Sequence, residues 1–153
     1  MTRPHDPGRP GIHAFRDSDQ RTPLPVAVSP FMAGLGMQIV AIDAQAGRLR
    51  ALFEAGPDYV GGARPTVHGG AIATMLDVSM ASLVVAMTGL DRRTATAGLH
   101  VSYLRPLSPG PCSCEVEADR VGRSMAFVHA VLFDAQGARV ATAAGTFPVF
   151  GAE

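Results

Sequence analysis

Residues 69–90, GGAIATMLDVSMASLVVAMTGL, form an apolar run whose interior carries one carboxylate, Asp77. A run of this length made of apolar and small residues predicts a helix rather than a strand. Ahead of it, residues 35–43 and 48–54 are two short apolar-rich runs joined by DAQAG, whose Asp and Gly supply turn geometry, so they predict a β-hairpin. A Gly- and Pro-rich loop, GPDYVGGARP, leads from that hairpin to the helix. Behind the helix the pattern turns strand-like. TATAGLHVSYL, CSCEVEAD, SMAFVHAVLFD and ARVATAAGTFPV predict four strands, separated by RPLSPGP, RVGR and AQG. In the second of these, Cys112, Cys114, Val116 and Ala118 alternate with Ser113, Glu115, Glu117 and Asp119, the mark of one buried and one wet face. The third is apolar at both parities around Phe127 to Phe133, which predicts a central strand covered on both sides.

An antiparallel sheet with a single long helix laid across it is an α+β arrangement. Nearly every position from Ala71 to Met87 is apolar or small, and a helix apolar all round must be covered all round. Either the sheet curls about it, or a second subunit covers what the sheet leaves open.

At 153 residues the chain fits one domain with a core of its own. Residues 1–30 hold half of the 12 prolines and no apolar run of signal-peptide length, so they read as a disordered or loosely docked tail, with the domain spanning 31–153. The formal net charge is zero and the basic residues are dispersed, which sets nucleic acid aside as a partner. Cys112 and Cys114 stand two apart on one predicted strand, where a disulfide would be strained. With no second pair or His cluster to complete a metal site, they read as reduced core residues of a cytoplasmic protein.

Asp77 admits three readings. Taken alone, residues 69–90 are long enough to span a bilayer, but a carboxylate near the midpoint costs roughly 3 kcal/mol on insertion scales, and the downstream strands need an aqueous fold. A second reading makes Asp77 a structural group satisfied by a neighbouring hydroxyl or backbone donor. The third joins it to His68, Gly69 and Gly70 at the helix N-terminus, where unpaired N–H groups and the dipole suit an oxyanion. Gly69 and Asp77 would be about 12 Å apart along the helix, so one helix cannot easily bring both to one substrate, whereas a partner helix alongside could. From residue types alone the second and third readings both stand.

VHGGAIATMLDVSMAS, with Asp77 nine residues after His68, resembles the His-Gly-Gly and Asp segment of PaaI-type hotdog-fold acyl-CoA thioesterases. TATAGLHVSYLRPL resembles that family's strand leading to a Tyr-x-x-Pro turn, and VGRSMAFVHAVLFDAQGARVATAAGTF its paired last strands. The resemblance implies a curved antiparallel sheet wrapped around one long central helix, pairing into homodimers or homotetramers. It implies hydrolysis of an acyl-CoA at the dimer interface without cofactor or metal. On it, Gly69 is the oxyanion donor, His68 shapes that turn, His68, Gly70 and Gly62 fall in the substrate-binding segment, Asp77 is the catalytic carboxylate, and Thr96 positions the attacking water or the acid. Many members carry Asn or Gln six residues before the histidine, where this chain has Gly62.

Arg93, Arg105, Arg120 and Arg123 lie near predicted strand ends, and of these Arg105 and Arg123 are the better candidates for coenzyme A phosphates. His100 and His129 read as structural strand histidines, and Met75, Met80 and Met87 as adaptable core. The competing function is a non-catalytic hotdog protein that binds acyl-CoA or another apolar ligand. A hotdog hydratase would need an Asp and His pair that the sequence does not offer.

Overall fold

The computed structural model describes residues 30–62, 64–89 and 92–151. The tail expected over residues 1–30 therefore lies, but for Pro30, outside the described residues. After a short helix α1 (Pro30–Gly34) come strands β1 (Gln38–Asp43) and β2 (Arg48–Ala55), the expected hairpin, whose turn is braced by Asp43 Oδ1 accepting from Ala46 N at 2.7 Å. The Gly- and Pro-rich loop is more ordered than its composition predicts. Pro57–Tyr59 form one 3-10 turn, and β3 (Val60–Gly61) and β4 (Thr66–Val67) make a miniature hairpin that delivers the chain to helix α2 (Gly69–Thr88). Strands β5 (Arg93–Thr94), β6 (Gly98–Tyr103), β7 (Gly110–Val121), β8 (Met125–Phe133) and β9 (Arg139–Phe150) follow.

The main sheet is antiparallel and runs β1-β2-β7-β8-β9, with β5 and β6 both on the outer side of β9. Its strands curl around α2, and a bulge between Ala118 and Arg120 adds local bend and twist. The helix buries Ile72, Met75, Leu76, Ser79, Met80, Leu83 and Val84, a three- and four-residue spacing that makes one face. That face meets the inward positions of β7, β8 and β9, where Cys114, Val116, Ala126, Val128, Ala130, Leu132 and Ala141 are almost wholly excluded from water. Each large apolar side chain so buried contributes about 2 kcal/mol relative to an exposed one. Met75 and Met80 are core residues, as their type suggests. The helix hydroxyls cost the core little, because Thr74, Ser79, Ser82 and Thr88 each donate to the carbonyl four residues back at 2.7–2.8 Å.

Strand β8 is central, between β7 and β9, but contrary to expectation it is not covered on both sides: Phe127 on its outer face is 44% exposed. Among the described residues the helix is likewise covered on one face only. Its length and composition would let it cross a membrane, yet its buried face is engaged by the sheet, and the opposite face, from Thr74 through Val78, Ala81 and Val85, remains only half-buried.

Burial pushes the thiols of Cys112 and Cys114 up to about 12, helped at Cys112 by the charge of Glu54 and opposed at Cys114 by a hydrogen bond with Ser79. Both are free and buried. A raised folded-state value means that the contribution of the neutral thiols to stability is intact below their ordinary range and is lost as pH climbs towards 12. At about pH 8, iodoacetamide is expected to modify neither cysteine in the native protein and both once it is unfolded, read as mass added to the intact chain.

Candidate active site

The entry to α2 is built by its own sequence. His68 is the N-cap, in extended geometry at φ −61° and ψ 137°, and its backbone N–H donates to the Tyr59 carbonyl at 2.7 Å. Its imidazole Nδ1 accepts from Gly70 N at 2.9 Å, and its carbonyl accepts from Ala71 N and Ile72 N at 3.0 and 3.2 Å. A helix leaves its first N–H groups without intrahelical partners. Here those of Gly70, Ala71 and Ile72 are all taken by His68, and the Gly69 N–H alone has no partner among the described residues. The residue that the sequence marks as the oxyanion donor is thus the one left free to donate.

The two glycines flanking this turn have steric causes. A β-carbon at Gly61 would fall 2.8 Å from His68 Cδ2, and one at Gly69 would fall 3.3 Å from Tyr103 Cζ. Tyr103 Oη donates to the Gly69 carbonyl at 2.8 Å. Sequence reasoning missed Tyr103 as a neighbour of the site; the available signal was an aromatic residue just ahead of the Leu-Arg-Pro turn.

Two turns along α2, Asp77 Oδ1 accepts a hydrogen bond from Thr96 Oγ1 at 2.8 Å. The structure therefore brings together the acid and the hydroxyl expected to orient it. The carboxylate is half-buried on the helix face that the sheet leaves open. It stands at a groove of about 490 Å³ between the two edges of the curled sheet, with Ile42 and Ala44 on one side, Thr94 on the other, and Val78, Ala81, Ser82 and Val85 beneath. Met32 of α1 also lines it, whereas Met75, Met80 and Met87 of α2 do not. The hydroxyl protons of Ser82 and Thr94 are held by the carbonyls of Val78 and Pro148 at 2.7 and 2.8 Å, so among the described residues the walls present mainly apolar surface with no spare side-chain hydroxyl.

The remaining sequence candidates are spread out. Gly62 sits in the turn of the miniature hairpin with φ +82°, and a β-carbon there would meet nothing within 4 Å, so it touches neither Asp77 nor Thr96. Asparagine is one of the few side-chain-bearing residues that tolerates this backbone region. Arg105 lies at one end of β9, its N–H bonded to the Val140 carbonyl, whereas Arg123 lies at the other, its carbonyl accepting from Arg92 Nη2 at 2.8 Å. Within one chain they do not converge. His100 and His129 are on the outer face of the sheet, the latter 3.0 Å from Asp119 through Nδ1, away from the Asp77 groove.

Comparison with known proteins agrees with this geometry. The thioesterase superfamily model matches residues 65–141, from just before the helix entry into β9. The phenylacetic acid degradation-related protein of Ralstonia eutropha JMP134 is 31% identical and superposes with a TM-score of 0.74, over 83% of this chain and 92% of that one. The E. coli PaaI protein from the phenylacetic acid degradation operon has the same fold at 17% identity and a TM-score of 0.73, over 92% of this chain and 91% of its own. A point mutant of the phenylacetic acid degradation protein PaaI from Thermus thermophilus, at 22% identity and a TM-score of 0.68, covers 78% of this chain and 97% of its own. No curated protein matches the chain in sequence. A curled antiparallel sheet around one long helix, a His-Gly-Gly helix entry and these matches together place the chain in the thioesterase superfamily, as a PaaI-type hotdog-fold thioesterase.

Proposed function

We propose that the protein hydrolyses acyl-CoA thioesters to the free acid and coenzyme A, at a site that two copies of the chain complete together. Thioester hydrolysis is the chemistry of its superfamily. The observation that carries the finer reading is the Asp77 and Thr96 pair at the mouth of an apolar groove, with an unpartnered Gly69 N–H at the start of the same helix. The two are about 12 Å apart along the axis, too far to act on one carbonyl from one chain.

Helix α2 and strand β6 run antiparallel. Thr96, just before β6, touches Asp77, and Tyr103, at the end of β6, touches Gly69. One edge of β6 pairs with β9 and the other has no strand partner among the described residues, and Leu99, Tyr103 and Leu104 beside it are 37%, 52% and 52% exposed. An open edge of this kind is a template for pairing with another chain. If a second copy pairs its β6 antiparallel to this one about a two-fold axis, the Tyr103 end of each strand lies by the Thr96 end of the other. Gly69 of one copy then approaches Asp77 of the other, and Arg105 of one copy moves towards the partner end that carries Arg92, Arg93 and Arg123. Those guanidinium groups suit the phosphates of coenzyme A.

The chemistry needs only water. Asp77 attacks the thioester carbon itself or takes a proton from the attacking water, while Thr96 holds Oδ1 and leaves Oδ2 for the reaction. Charge that builds on the carbonyl oxygen is met by the Gly69 N–H, and collapse breaks the carbon–sulfur bond. In the general-base route Asp77 passes the proton it took from water to the departing thiolate; in the nucleophilic route water protonates the thiolate and then hydrolyses the acyl–Asp77 anhydride to the free acid and the regenerated carboxylate. Reduced cysteines and a coenzyme A substrate favour the cytoplasm as its location.

A thiol-release screen over short, medium, long and aromatic acyl-CoAs tests the reading. Hydrocarbon acyl groups are expected to react, and a chain ending in a carboxylate to be at least about tenfold poorer in kcat/KM, since the described groove walls are mainly apolar and their side-chain hydroxyls are already engaged. Calorimetric binding of acyl-CoA without thiol release would instead establish the non-catalytic alternative, which Gly62 motivates because it lacks the amide side chain that many relatives carry at that position.

A further inference from the structure

We propose that Tyr103 is a positioning residue for this reaction, holding the Gly69–Gly70 peptide so that the neighbouring Gly69 N–H stays aimed out of the helix end; this rests on the reading of Gly69 given above. Two successive glycines are the least restrained way to begin a helix. A donor that must meet a developing oxyanion needs the opposite, a fixed direction before the reaction starts.

The structure supplies that restraint from both sides of one peptide group. Its carbonyl, on Gly69, accepts from Tyr103 Oη at 2.8 Å, and its N–H, on Gly70, donates to His68 Nδ1 at 2.9 Å. The preceding peptide is held through the His68 carbonyl by Ala71 N and Ile72 N. With those groups fixed, the Gly69 N–H has one direction left to it.

The tyrosine ties this end of the helix to the sheet rather than to the loop before it. Tyr103 comes 34 residues after Gly69 and is in register with Ala141 of β9, so its hydroxyl refers the helix entry to the body of the domain. The ring lies close over the helix entry, 3.3 Å from where a β-carbon at position 69 would stand, so glycine there leaves it uncrowded. With its proton committed to Gly69, Tyr103 acts on the substrate through that peptide and not as an acid. It also lies on β6, the strand with one edge unpaired among the described residues, so pairing with a second copy would stiffen the hold.

Tyr103→Phe in the full-length protein removes the hydroxyl and keeps the ring. The expected result is a fall in kcat of about tenfold or more, with KM within about twofold and the thermal midpoint and oligomeric state unchanged. In amide-resolved NMR, the Gly69 and Gly70 signals should shift, and the Gly70 amide, which donates to His68 Nδ1, should exchange faster than in the wild type. A kcat equal to wild type, or a loss carried by KM, overturns the proposal, as do unmoved Gly69 and Gly70 amides. A wild-type protein inert to every acyl-CoA overturns the hydrolase reading and with it any role of Tyr103 in turnover, while the NMR measurement still decides whether the hydroxyl holds the helix entry.

Discussion

Asp77→Asn is expected to lower acyl-CoA hydrolysis by about a thousandfold or more while leaving the thermal midpoint and the oligomer intact. Asparagine keeps the size of the side chain and a carbonyl oxygen to accept from Thr96 Oγ1, now 2.8 Å from Oδ1, so the local hydrogen bond survives. What disappears is the basic, nucleophilic oxygen. Because the carboxylate is half-buried at the groove rather than in the core, its loss creates no cavity among packed residues. Steady-state rates by thiol release, beside a thermal melt of the same preparation, check both halves of the statement. Unchanged rates would return Asp77 to the structural role that residue types alone left open.

Gly69→Pro is expected to cost about a hundredfold to a thousandfold in kcat, the effect of losing one oxyanion donor, or about 3 kcal/mol. Proline lacks the backbone N–H, and Gly69 is the first residue of α2, where proline is best tolerated. The residue ahead of a proline must be extended, and His68 already is, at φ −61° and ψ 137°. The new β-carbon would stand 3.3 Å from Tyr103 Cζ, which the half-exposed ring can accommodate by a small shift, and the proline Cδ takes the place of the N–H hydrogen. Gly69→Ala brings the same β-carbon and keeps the N–H. The ratio of the two variants therefore isolates the donor, and equal rates would show that the Gly69 N–H does not meet the oxyanion.

The elements that position these groups were legible because each is long enough to display its period. The apolar run ending in the α2 helix, the hairpin around DAQAG and the alternation of Cys112, Cys114 and Val116 each announce themselves over several residues. Strands β3 and β4 have two residues apiece, too few for any period to show, so the ordered approach to His68 was invisible in a Gly- and Pro-rich stretch. The unpaired N–H groups at the Gly69 end of the helix followed from helix geometry, whereas the pairing of Asp77 with Thr96 came through a motif resemblance. Tyr103 did not, because its contact with Gly69 depends on how β6 lies against the helix entry. The same tertiary register separates Arg105 from Arg123, which the sequence treats as equals. The uncovered outer face of β8 shows the limit of reading burial from composition: Phe127 is apolar and still 44% exposed.

The central claim is that Gly69 of one copy and Asp77 of another form one site, and subunit complementation tests it directly. Chains carrying Asp77→Asn and Gly69→Pro, each with its own affinity tag, are co-expressed and the mixed dimer isolated. It should contain one intact site and one with both defects, and so recover about half of the wild-type rate although each parent dimer is nearly inert. A mixed dimer as inactive as its parents, or full activity in a wild-type monomer, would contradict the shared site.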